Sequence, residues 1–191
     1  MPVTGGRPVD TRKHDLIVFL ALVQSSIQVG VNGPAVWVKV EGKGSFLNSG
    51  NLKDFAREMV QRGYREFVMD LSDCVMMDST FMGTMAGVAL RLKELNQGQL
   101  HVVHCGARSR ELLSGLGLDQ IFTIHANGST APECRGLEIE KAVTPDAKLE
   151  QKENILQAHE TLCRVAPDNV TRFKDVLDFL RQDLEREPTV K

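Results

Sequence analysis

Between residues 27 and 125 the apolar positions follow two periods in turn. Ile27-Gln28-Val29-Gly30-Val31 and Ala35-Val36-Trp37-Val38-Lys39-Val40 are β-rich runs joined by Asn32-Gly33-Pro34, which predicts a hairpin. Leu52, Phe55, Ala56 and Met59 then recur at helical spacing up to Gly63, which predicts a helix over about residues 50–62. A strand over Glu66 to Leu71 follows. Ser79 to Asn96 places Phe81, Met85, Val88, Leu92 and Leu95 on one stripe, a second helix that Gly98 ends. Leu100 to Cys105 reads as a strand, Ser109 to Leu116 as a short helix with Ser109 and Glu111 at its entry, and Ile121 to Ile124 as a last strand. A hairpin followed by α, β, α, β, α, β predicts an α/β domain in which helices pack against the sheet.

From Ala126 to about Asp146 the chain turns to Gly, Ser, Thr, Pro and Glu without periodicity, which predicts a linker. Beyond it Ile155, Leu156, His159, Leu162 and Cys163 define one amphipathic helix. Phe173, Val176, Leu177, Leu180 and Leu184 define another, with Ala166-Pro167-Asp168-Asn169 turning the chain and Asp168 or Asn169 as N-cap. An αα-hairpin cannot bury both stripes alone, so it must dock on the domain or on a partner. The expected organisation is an N-terminal extension (1–25), an α/β domain (26–126), a linker (127–147) and a C-terminal helical hairpin (148–188). Leu16 to Val23 is apolar and follows Arg7, Arg12 and Lys13, but at eight residues it is too short to span a bilayer. With Asp15 beside it and no small-x-small cleavage motif after it, the run is expected to be a short buried segment or an extension outside the fold.

Composition narrows the function. The 191 residues, 42% hydrophobic and 25% charged, suffice for one core plus an appendage. A net charge of −2 and 5% aromatic residues give neither the basic field nor the stacking platforms of a nucleic-acid binder, and no attraction to an anionic membrane. Cys74, Cys105, Cys134 and Cys163 lie far apart with no C-x-x-C pair, as expected of reduced thiols in a cytoplasmic protein.

The candidate chemistry centres on Met77-Asp78-Ser79-Thr80, where an apolar run gives way to a helix. A serine there lies beside unpaired backbone N–H groups at the positive end of the helix dipole, where a phosphate is stabilised while it reverses the local charge. Taken alone, Asp-Ser at a helix start is far more often an N-cap than a phosphosite, because short polar side chains satisfy the orphan N–H groups there. Other motifs fail on spacing. Gly42-Lys43-Gly44-Ser45 lacks the first glycine of a phosphate loop, Trp37 standing in its place. It reads as a turn, with Ser45, Asn48 or Ser49 capping the next helix. The strand period sends His101 and Cys105 to one face and His104 to the other, which precludes a shared metal. Ser79 lies in no Gly-x-Ser-x-Gly elbow and Asp78 has no partner base, so no catalytic residue, cofactor or metal ligand is expected. Met76, Met77, Met82 and Met85 read as core filler or as an adaptable binding face.

Two motifs carry a resemblance. Met77-Asp78-Ser79-Thr80 followed by Phe81-Met82-Gly83, and the stretch Ala107 to Phe122 with its Gly115-Leu116-Gly117-Leu118 turn, are similar to those of the STAS domain, the family of bacterial anti-sigma factor antagonists. The resemblance implies a STAS-type mixed β-sheet with helices packed against it, here extended by the C-terminal αα-hairpin. It also implies a phosphorylation-controlled protein-binding switch in a partner-switching cascade that controls transcription. The unphosphorylated antagonist would bind a serine kinase that is also the anti-sigma factor, and a phosphoserine phosphatase would restore it. Carried onto this chain, the phosphoacceptor is Ser79, less favourably Thr80. The expected partner surface comprises Asp78, Ser79, Thr80, Phe81 and Met82 with Ser45, Phe46 and Asn48. Two positions depart from the pattern: Phe81 stands where the family usually has glycine, and the loop over residues 42–46 lacks an acidic residue. The alternative is a non-phosphorylated STAS scaffold in a signalling or transport complex.

Overall fold

The computed structural model describes residues 25–95, 98–125, 137–138 and 147–186. Strands β1 (Ser26–Asn32) and β2 (Ala35–Gly44) form the expected antiparallel hairpin, with Val29 opposite Val38, and Gly33 adopts positive φ in the turn. Helix α1 (Phe46–Gln61) starts four residues earlier than the apolar spacing indicates, because Ser45 rather than a later residue is its N-cap. Strand β3 (Glu66–Asp70) is followed by β4 (Cys74–Met77), a short strand not anticipated from the sequence. It pairs in parallel with the far end of β2, across a register shift between Gly42 and Lys43. Helix α2 (Ser79–Glu94), strand β5 (Gln99–Val103), helix α3 (Ala107–Gly115), a 3-10 turn over Leu118–Gln120 and the two-residue strand β6 (Thr123–Ile124) complete the series. Gly117, at positive φ, makes the turn between α3 and the 3-10 segment.

The mixed sheet runs β6-β5-β3-β2-β1-β7, with β4 joined to β2. The expected linker is not wholly outside the sheet: β7 (Leu137–Glu138) pairs antiparallel with β1 at Gln28 and Val29. Val36, Val38, Val40, Phe67, Met69, Leu100 and Val102 belong to the main core with the apolar sides of α1 and α2. Trp37, Val68 and Val103 form a second, small cluster. That division follows from the two-residue period of a strand. The Leu16–Val23 run and Cys134 lie outside the described residues.

Helices α4 (Ala147–Val165) and α5 (Asp168–Arg186) form the predicted hairpin, docked on the domain. Leu162, Phe173 and Leu177 are part of the main core cluster. Asn169 does not serve as the expected cap. It is 1% exposed, and its amide donates to the carbonyls of Leu116 (3.0 Å) and Leu162 (2.8 Å), tying the hairpin turn to the end of α3. Arg172 adds a bond to the Gly115 carbonyl at 2.7 Å. Gly83 on α2 faces Ala158 on α4, and a Cβ there would lie 2.7 Å from the Ala158 carbonyl carbon and closer still to its oxygen. The two backbones therefore touch only because residue 83 has no side chain.

Candidate functional site

The site forms where β2 and β4 end side by side and α1 and α2 begin. The Asp78 amide donates to the Gly44 carbonyl at 2.9 Å, which locks the two strand ends together. The Asp78 carboxylate then serves both helices: Oδ1 accepts the Phe81 N–H and Oδ2 the Phe46 N–H, each at 2.8 Å. Neither helix has an acidic residue in its first turn, so this one anion faces two positive dipole ends. Asp78 is thus the N-cap of α2, and its second oxygen takes the first N–H of α1, whose own N-cap is Ser45. Asn48 completes the cage, accepting the Ser45 N–H at 2.8 Å and donating to the Lys43 carbonyl at 2.9 Å.

Phe81, the departure from the family pattern, is fully buried beneath this cage. A Cβ on Gly44 would lie 2.6 Å from its ring carbon Cδ1, so the glycine of the loop accommodates the bulky residue of the helix. Thr80 and Met82 are buried as well. Of the expected partner surface, Thr80, Phe81 and Met82 are therefore buried, Phe81 and Met82 within the main core. Phe46 remains exposed and Ser45, Asn48, Asp78 and Ser79 half-exposed. Leu47, Val75 and Met76 are exposed apolar residues, Leu47 at 71%, on α1 and β4.

Ser79 carries a contact not anticipated from the sequence. Its hydroxyl lies 2.9 Å from Nε2 of His159 on α4. The other ring nitrogen, Nδ1, lies 2.8 Å from the Ile155 carbonyl, which can only accept. In the neutral imidazole Nδ1 therefore carries the proton, and Nε2 accepts from the Ser79 hydroxyl. The ring is 4% exposed and meets Phe173 of α5 edge-on, with centroids 4.9 Å apart. The only sequence clue was a histidine standing in the apolar stripe of a helix.

The remaining titratable groups lie apart from the site. His101 bridges Glu66 (2.9 Å) and His125 (3.0 Å), and His104, at positive φ, contacts Asp70 at 2.9 Å. No group of three metal-ligating side chains occurs among the described residues. Cys74, Cys105 and Cys163 are free thiols, and burial pushes all three above the ordinary thiol range, away from the reactive thiolate. No helix among the described residues is long and apolar enough to cross a membrane.

The arrangement is that of a small α/β domain with a serine hydroxyl at a helix start, held by a histidine of the C-terminal hairpin. The STAS domain model matches residues 26–131, more than half of the chain, and the chain belongs to that family. Among solved structures, a putative anti-sigma factor antagonist from Thermotoga maritima is 19% identical, covers 54% of this chain and 88% of its own, and superposes with a TM-score of 0.50. The phosphorylated form of the Bacillus cell fate determinant SpoIIAA is 14% identical, covering 53% and 92%, with a TM-score of 0.46. An anti-sigma factor antagonist from Mycobacterium paratuberculosis is 18% identical, covering 55% and 88%, with a TM-score of 0.45. At 19% identity the likeness to the Thermotoga maritima structure shows the fold alone. No curated protein matches the sequence.

Proposed function

We propose that the protein is an anti-sigma factor antagonist that works by binding rather than catalysis, with Ser79 as its phosphorylation switch. The observation that carries this reading is the placement of Ser79: it follows the N-cap of α2, whose carboxylate also holds the first N–H of α1, and lies near exposed apolar residues on α1 and β4. A partner surface built on Phe46, Leu47, Val75 and Met76, with Ser45, Asn48 and Asp78 among them, would be apolar with a polar centre. Such composition suits a protein interface. Phosphate on Ser79 would add about −1.5 to −2 charges next to Asp78 and repel a surface shaped for a neutral hydroxyl. Thr80, buried, is the poorer acceptor. The partners in this reading are a serine kinase doubling as an anti-sigma factor and a phosphoserine phosphatase, all in the cytoplasm.

A specific observation favours a second reading. Because the Ser79 hydroxyl is engaged by His159 under α4, the chain would also suit a non-phosphorylated STAS scaffold in a signalling or transport complex. Incubation of the full chain with a serine-kinase anti-sigma factor and ATP separates the two. Intact-mass and peptide analysis should find one phosphate, on Ser79, absent from Ser79→Ala. An unmodified chain that binds partners equally well with and without the Ser79 hydroxyl would leave the scaffold.

A further inference from the structure

We propose that the C-terminal hairpin is an internal reader of Ser79: α4 holds the unmodified hydroxyl, and phosphate on Ser79 drives α4 off α2. This rests on the reading of Ser79 as the modified residue, and adds that modification opens the chain's own fold as well as altering an outside surface.

With the Ser79 side chain in the rotamer that meets His159, the phosphate has no place beside the ring. Nε2 of His159 lies at hydrogen-bond distance from the oxygen that would carry the phosphorus. The phosphoryl oxygens would enter the space the imidazole fills. The ring cannot retreat, because Nδ1–H is held by Ile155 and Phe173 packs against its edge. Gly83 and Ala158, next to His159, are already in backbone contact, so α4 cannot slide closer to α2 and relief requires it to move away. Electrostatics acts in the same direction through the Asp78 carboxylate, a like charge that adjoins the phosphate. Undocking would expose Leu162, Phe173 and Leu177, with the core surface they cover, as a new apolar face. The same contact makes Ser79 a gated acceptor, reached by a kinase when α4 is displaced.

The test needs no kinase. Phosphoserine is encoded genetically at position 79 of the full chain, and amide hydrogen exchange is followed by mass spectrometry. We expect peptides of α4 to exchange at least about tenfold faster than in the unmodified protein, while β2, β3 and β5 keep their protection; Ser79→Ala, which removes one neutral hydrogen bond, should change α4 less. If the phosphoserine protein does not fold, Ser79→Glu carries the same comparison. Protection of α4 equal to or above that of the unmodified chain overturns the proposal, and would mean that a protonated His159 grips the phosphate instead. A chain that no kinase modifies at Ser79, yet whose encoded phosphoserine loosens α4, would count against the proposed function and leave this coupling standing.

Discussion

Gly83 and Gly87 lie one turn apart on α2, and the same substitution should have opposite effects at the two. Replacing a glycine inside a helix with alanine ordinarily stabilises by about 0.5–1 kcal/mol, because the unfolded chain has fewer conformations to lose. At Gly87 nothing lies within 4 Å of the new Cβ, so Gly87→Ala should show that gain. At Gly83 the new Cβ would overlap the Ala158 carbonyl, a backbone group that cannot rotate away. Overpacking of that kind costs about 1–3 kcal/mol, which exceeds the helix-propensity gain. The two variants should therefore differ by about 1–3 kcal/mol, and each kcal/mol shifts the melting temperature of a chain of this size by roughly 2–4 °C. Urea unfolding measures the difference, and hydrogen exchange locates it, since only Gly83→Ala should loosen α4. Equal stabilisation by both substitutions, with α4 unchanged, would refute the docked position of the hairpin.

Other outcomes follow from single contacts. Asp78→Ala removes the N-cap of α2 and a hydrogen bond to the first N–H of α1, and at about 0.5–2 kcal/mol for the cap and about 0.5–1.5 kcal/mol for the bond should lower stability by roughly 1–3.5 kcal/mol in urea unfolding. Phe81→Ala empties a fully buried site and should cost about 3–5 kcal/mol; Phe81→Ala joined with Gly44→Ala should recover part of that, because the new methyl group grows into the vacated space. Asn169→Ala leaves the buried Leu116 and Leu162 carbonyls without the amide and should cost about 1–3 kcal/mol, seen as faster exchange at the hairpin turn. Since burial raises the Cys105 thiol above its ordinary range, its alkylation rate in the folded protein should rise at higher pH than that of free cysteine, a shift that vanishes in denaturant.

What could be read in advance was whatever one element decides for itself. The hairpin at Asn32-Gly33, the stripe of α2, the two amphipathic C-terminal helices and the N-cap at Asp78 are local patterns of period, turn chemistry and capping. Strand β4 escaped because its four residues, set directly after the polar pair Ser72-Asp73, show too little alternation, and only pairing with β2 makes them a strand. Phe81 illustrates the boundary between the two kinds of knowledge. Its departure from the family pattern was visible, yet its compensation by Gly44 depends on a contact across thirty-seven positions that no local period encodes.

The sequence by itself determined that a serine follows an acidic N-cap at the start of an apolar-striped helix, and that a hairpin able to cover such a surface comes later. The tertiary structure alone decided that the carboxylate capping α2 also holds the first N–H of α1, that Thr80, Phe81 and Met82 lie inside, and that His159 meets Ser79. The physical reason is separation along the chain. Asp78 and Phe46 are brought together by strand pairing, and Ser79 and His159 by two helices that approach closely at a glycine. Each contact exists only once the sheet and the helix layer have assembled.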